Sequence, residues 1–127
     1  MACRFTELII DCHDPASLAE FWAQVLGYTV SETSAEGGEH HYVELEGPTG
    51  SGPKLLLLRA PDTKTVKNRL HIDVNATDRE QADEVERIIG LGAKPVDIGQ
   101  GEQSWVVLAD PEGNEFCVLR GRVEPIG

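Results

Sequence analysis

The sequence predicts an α+β fold built from two βαβββ modules, and three observations carry that prediction. Alternating residues mark two similar strands, with Leu8, Ile10 and Cys12 on one face of the first and Leu70, Ile72 and Val74 on one face of the second. Each strand runs into a helical stripe, Leu18, Phe21, Trp22, Val25 and Leu26 after the first, and Ala82, Val85, Ile88 and Ile89 after the second. Finally, Glu7-Leu8-Ile9-Ile10-Asp11-Cys12-His13-Asp14 lines up with His71-Ile72-Asp73-Val74-Asn75-Ala76-Thr77-Asp78 at an offset of 64, about half the 127 residues, as a duplicated unit would.

The first half divides cleanly. After the strand at 7–12, Asp14 is placed to cap a helix whose first turn holds Pro15, and Gly27 to end it in a left-handed conformation. Tyr28 to Glu32 reads as a strand and Glu36-Gly37-Gly38 as a turn. His41 to Glu46 alternates again, with Tyr42 and Glu44 on one side and Val43 and Leu45 on the other. Gly47 to Pro53 is loop by composition, and Leu55 to Leu58 is an apolar run of strand length.

The loop from Ala60 to Arg69 carries the only basic cluster, Lys64, Lys67 and Arg69, and leads into the second half. There Asp78 is the expected cap, with Gln81 three residues on to complete a capping box, and Leu91-Gly92 ends the helix as Leu26-Gly27 ended the first. Lys94 to Ile98, Ser104 to Ala109 and Phe116 to Arg120 read as strands. They are separated by Gly99-Gln100-Gly101 and by the turn Asp110-Pro111-Glu112-Gly113-Asn114, and Val123 to Gly127 reads as a loose tail.

Length favours one domain over residues 1–127, with module 1 at about 4–60 and module 2 at about 68–121. A composition of 40% hydrophobic and 26% charged residues is that of an ordinary globular chain. The net charge of -11 argues against nucleic acid and anionic membrane surfaces as partners, since both need a basic face. No apolar run reaches the ~18 residues of a membrane span, and the N-terminal residues show no signal core. Cys3, Cys12 and Cys117 have no framework spacing, so free thiols and a cytoplasmic location are expected.

Asp14-Pro15 through Phe21-Trp22, Val25-Leu26-Gly27, His71-Ile72-Asp73, Leu91-Gly92-Ala93 and Asp110 to Phe116 together resemble the vicinal oxygen chelate superfamily, which includes glyoxalase I, extradiol dioxygenases and bleomycin- and fosfomycin-resistance proteins. Lys67-Asn68-Arg69-Leu70-His71 resembles a glyoxalase-like subgroup. The resemblance implies that the modules curl into one mixed sheet, a cup with helices on its convex side and a small-molecule ligand inside. It also implies a homodimer, and in metal-dependent members one divalent ion (Zn, Ni, Mn or Fe). The implied ligand positions are Glu7, Leu56, His71 and Cys117, of which Leu56 has no donor atom.

Strand parity gives a matching inward set independently. If Leu8, Ile10, Ile72 and Val74 pack on helices, then Glu7, Ile9, Asp11, His71, Asp73 and Asn75 face the other way, joined by Tyr42, Glu44, Leu56, Leu58, Trp105, Val107, Cys117 and Leu119. Each has an ordinary reading beside the functional one. His71 is a site residue or a histidine satisfied by Asp73 or a backbone carbonyl. Cys117 is a thiolate ligand or nucleophile, or else a small buried hydrophobe. Tyr42 and Trp105 stack on a flat ligand or merely fill space. Arg69 and its basic neighbours clasp an acidic substrate, or form a solvated linker or dimer contact. His13 lies at a helix start. His40 and His41 are adjacent and point to opposite faces, so they do not chelate together.

Two functions follow. The first is a lyase or isomerase acting on a small oxygenated metabolite. Glu7 serves as general base or metal ligand, His71 as ligand or acid-base partner and Asp73 as its orienter, with Tyr42, Trp105, Asp11 and Arg69 binding substrate. The alternative is a non-catalytic protein that sequesters a planar, cationic drug or metabolite between Tyr42 and Trp105, drawn by Glu7, Asp11, Glu44 and Asp73.

Overall fold

The computed structural model describes residues 2–35 and 38–126, so the Glu36-Gly37 part of the expected turn lies outside the described residues. The elements are β1 (Glu7–Cys12), α1 (Pro15–Leu26), β2 (Thr29–Thr33), β3 (Tyr42–Glu46), β4 (Lys54–Arg59), β5 (Ile72–Val74), α2 (Gln81–Leu91), β6 (Lys94–Pro95), β7 (Val106–Ala109) and β8 (Glu115–Val118). The chain is α+β, and its two βαβββ modules repeat one plan. They fall into two compact units, the first reaching Thr63 and the second running Lys64–Pro125. Each unit has its own four-stranded mixed sheet, ordered β1-β4-β3-β2 and β5-β8-β7-β6. In both, the first strand pairs with the last in parallel and the other pairs are antiparallel.

In the first unit, strand parity decides which face is buried. Val43 lies opposite Leu57, Leu45 opposite Leu55, and Leu8 and Ile10 opposite Leu55 and Leu57, which makes one apolar face. α1 lies against β3 and β4 and brings the buried Leu18, Phe21, Trp22 and Val25 to the core. Phe21 and Trp22 meet edge to face, ring centroids 5.3 Å apart. Each large side chain withdrawn from water here contributes about 2 kcal/mol. The helix starts and stops as its sequence dictates. The Asp14 carboxylate accepts from the Ser17 amide at 3.2 Å, Pro15 opens the first turn, and Gly27 takes φ 71°.

The second unit departs from expectation in its helix and its strands, and β6 is only Lys94–Pro95 where a strand to Ile98 was expected. Asp78 does not cap α2; its carboxylate is held by Arg79 at 2.8 Å, and Glu80 occupies the cap position without a side-chain bond. The buried side of α2 carries Glu84 and Ile88, while Ala82 and Ile89 are exposed. Gln81 ties the helix to the sheet this way, and Glu84 is paired within the helix. Gln81 Nε2 donates to the carbonyls of Ser104 and Val118 at 2.8 and 3.0 Å, and Glu84 accepts from Arg87 Nε at 2.6 Å, so both can be withdrawn from water. β5 is shorter than the alternation suggested. It spans only Ile72–Val74, with Leu70 82% exposed and His71 outside it.

Candidate functional site

The face of the first sheet turned away from α1 is an acidic checkerboard. Register places Glu7 beside Lys54, Ile9 beside Leu56, and Asp11 beside Leu58, while Leu56 faces Glu44 and Leu58 faces Tyr42 on the other side. β2 adds Glu32 opposite Glu44, past a bulge between Val30 and Glu32. Carboxylates of Glu7, Asp11, Glu32, Glu44 and Glu46 thus surround a strip of Ile9, Leu56 and Leu58, with Lys54 as the cation among them. Ile9 keeps 51% of its surface exposed, and Leu56 and Leu58 are half-buried.

Two carboxylates of this face have fixed partners. Ser31 Oγ donates to Glu44 Oε1 at 2.9 Å, and Lys54 Nζ lies 3.3 Å from the same oxygen. The Ser31 hydroxyl, with help from Lys54 and Glu7, holds the Glu44 carboxyl below the usual range, although burial opposes the shift. Tyr42 donates its hydroxyl to Glu32 Oε1 at 2.9 Å, which raises the phenol above its ordinary value. Glu7 and Asp11 remain exposed.

In the second unit, Asp73 and Cys117 are register partners on β5 and β8, and Val107 lies opposite Cys117 on β7. Cys117 is 8% exposed. Burial, and then the charge and hydrogen bonding of Asp73, push its thiol above the ordinary value. Arg69 and His71 are exposed on the segment before β5, and Trp105, 37% exposed, precedes β7. The basic loop is partly committed: Lys64 Nζ lies 2.6 Å from Glu115 Oε2, and the Asn68 amide donates to Glu115 Oε1 at 2.8 Å. Burial pushes the Glu115 carboxyl up, but Lys64 and the Asn68 amide outweigh it, and the carboxyl lies below its usual range.

The first unit thus gathers Glu7, Asp11 and Tyr42 on one sheet face, and the second pairs Asp73 with Cys117. Lys54, Ser31 and Glu32 had not been singled out from sequence. Lys54 could have been, since it continues the Leu56 and Leu58 parity by one step. Ser31 owes its place to the bulge, which alternation cannot foresee.

These donors fit a resident metal poorly. Among the described residues no group of three or more His, Cys, Asp or Glu is gathered to hold an ion. Of the four implied ligand positions Leu56 supplies no donor, and Cys117 is buried beside Asp73.

A fold of paired βαβββ modules is that of a glyoxalase-like protein. The profile of the glyoxalase-like domain matches residues 7–119, and the chain belongs to that family, within the vicinal oxygen chelate superfamily. Among solved structures it is similar to a mutant of fosfomycin resistance protein FosX from Listeria monocytogenes complexed with Mn(II) and 1S,2S-dihydroxypropylphosphonic acid (TM-score 0.73, 14% identity, 97% of this chain and 96% of that one). It is also similar to FosX from Mesorhizobium loti (0.71, 13%, 97% and 95%) and to a possible glyoxalase from Bacillus cereus (0.65, 19%, 93% and 99%). At these identities the likeness is one of fold. No curated protein matches the chain in sequence, and among the described residues no helix is long and apolar enough to cross a membrane.

Proposed function

We propose that the chain is a single glyoxalase-like domain that binds a small, planar organic cation on the face of its first sheet turned away from α1, and that this binding needs no metal. One observation carries the reading: the apolar strip Ile9, Leu56 and Leu58 is bordered by Glu7, Asp11, Glu44 and Glu32, with Tyr42 at its end. Such a surface removes a flat apolar ring from water while its rim favours positive charge. The Mn(II) of the Listeria FosX complex is not carried over, because Leu56, which has no donor atom, stands at one implied ligand position and no three metal-binding side chains are gathered among the described residues. The homodimer implied by the resemblance is kept in the proposal, and sedimentation should give twice the 13.9 kDa of one chain.

Proflavine, a planar monocation, and acridine, a neutral ring of similar size at pH 7.5, separate charge from shape. Proflavine should shift the amides of Ile9, Leu56 and Leu58 in nitrogen-15 NMR spectra and bind at least ten-fold more tightly than acridine at low salt. Glu7→Gln with Asp11→Asn should reduce that preference to about two-fold, and 0.5 M salt should weaken it likewise. Equal affinity for the two rings would sink the proposal.

One observation favours a second reading, a lyase or isomerase with Glu7 as general base. Glu7 is exposed on β1 beside Lys54 in register, and an accessible carboxylate next to an ammonium can take and return a proton. In that case the chain should exchange the C–H beside the carbonyl of dihydroxyacetone in heavy water, and Glu7→Gln should abolish the exchange. Absence of exchange in the native chain rejects this reading and leaves the binding proposal intact.

A further inference from the structure

The first unit has a second concave surface, on the helix side of its sheet and so opposite the acidic checkerboard. A groove of about 590 Å³ runs between α1 and strands β2 and β3, lined by Ala16, Ala19, Ala23, Val30, Val43 and His41 with Glu20, Gln24 and Thr33. Its floor is apolar because the alanines of α1 leave the helix surface low there, and Val30 stays 57% exposed for want of a cover. The volume falls within the range of small-molecule sites.

His41 makes the groove more than a gap between elements. Its side chain is 7% exposed, yet among the described residues only one ring nitrogen has a partner: Nδ1 lies 3.0 Å from Ser34 Oγ. The imidazole lines the groove. The Ser34 hydroxyl bears on what Nε2 offers. That oxygen accepts from the Tyr42 amide at 2.8 Å and has one proton to give, either to His41 Nδ1 at 3.0 Å or to the Tyr42 carbonyl at 3.4 Å. With the hydroxyl donating along the shorter contact, Nδ1 accepts and the ring N–H is Nε2, a donor toward the groove; the reverse tautomer makes Nε2 an acceptor.

We infer that this groove is a binding site for a neutral, largely apolar small molecule whose carbonyl oxygen accepts a hydrogen bond from His41 Nε2. The Glu20 carboxylate at its rim disfavours an anion. A second copy of the chain, pairing along the edge strand β2, is the rival occupant. The bulge after Val30 interrupts the regular edge that such pairing requires.

Methyl naphthyl ketone and ethylnaphthalene, which differ in the carbonyl, are titrated into the nitrogen-15-labelled chain. The ketone should shift the amides of Ala16, Ala19, Ala23, Val30 and Val43 and bind about five-fold more tightly than the hydrocarbon, as one hydrogen bond predicts. His41→Phe should remove the preference and keep hydrocarbon binding. Ala23→Leu, at a half-buried position, should fill the groove and abolish both. The inference fails if ketone and hydrocarbon bind the native chain alike, if binding survives Ala23→Leu, or if shifts confine themselves to β2 and grow with protein concentration. Should His41→Phe not fold, the ketone-to-hydrocarbon ratio on the native chain and the Ala23→Leu result decide. None of these outcomes bears on the acidic face.

Discussion

Lys64 Nζ lies 2.6 Å from Glu115 Oε2, joining residues 51 positions apart, so the basic loop ahead of β5 is fastened to the start of β8. Because the Glu115 side chain is 8% exposed and Lys64 23%, Lys64→Met leaves a carboxylate poorly solvated and should cost about 2 kcal/mol in urea unfolding at pH 7. Glu115 in the folded chain lies below its ordinary 4.5. Its contribution is therefore complete above that value and disappears as pH falls through the lower, folded one. The stability difference between the native chain and Glu115→Gln should shrink as pH drops from about 5 to 3. A difference that stays constant over that interval would contradict the assignment.

The thiols should react in a fixed order. Cys3 is exposed, whereas Cys12 and Cys117 are buried, and Cys117 is further held protonated by burial and by Asp73. Iodoacetamide at pH 8 should modify Cys3 first, followed by mass spectrometry. Asp73→Asn should hasten Cys117 several-fold and move its rate profile to lower pH. Labelling of Cys117 as fast as Cys3 at pH 7 would refute this account.

The two aspartates at the helix starts should behave differently. Asp14→Ala should lower stability by about 1 kcal/mol, since it removes the acceptor of the Ser17 amide. Asp78→Ala should leave stability essentially unchanged, because its contact with Arg79 is exposed to solvent. Thermal unfolding of the pair gives the comparison.

Gly47 should resist substitution for want of space. A Cβ there would lie 2.5 Å from Tyr28 Cε1 and from Ser51 Oγ. Tyr28 is held in place by donating its hydroxyl to the Ser51 carbonyl at 3.3 Å. Gly47→Ala should cost about 2 kcal/mol, whereas Gly50→Ala, with open space but φ 94°, should cost about 1 kcal/mol of backbone strain. Equal, negligible losses would mean that the Tyr28 ring moves aside freely.

These contrasts show where sequence sufficed. Parity within β1, β3 and β4 was readable because one face meets a helix and the other does not, so Leu8, Val43, Leu45, Leu55 and Leu57 separate from Glu7, Tyr42 and Leu56 without ambiguity. α1 was equally plain, with a cap, a proline and a left-handed glycine at its ends. α2 was misread because apolar residues were counted and polar ones were not. Gln81 is drawn inward by hydrogen bonds to Ser104 and Val118, which come from later in the chain, and Glu84 is buried with Arg87 as its partner on the same helix. Leu70 and His71 continue an alternation that the strand does not. His41, set aside as half of an unworkable histidine pair, drew no notice as a buried donor, since Ser34 reaches it only once β3 turns back.

The pairing of each first strand with the last has a consequence for a chain still on the ribosome. Glu7–Cys12 has no neighbour until Lys54–Arg59 has emerged, and Ile72–Val74 waits for Glu115–Val118. Meanwhile α1 and the β2–β3 hairpin can form from residues close together, but the sheet they belong to lacks its centre. During that interval Leu8, Ile9 and Ile10 are a short, sticky, unprotected segment, the kind that a nascent-chain chaperone holds. Translation stalled between Glu46 and Lys54 should therefore yield a species prone to aggregate, and release past Arg59 should cure it.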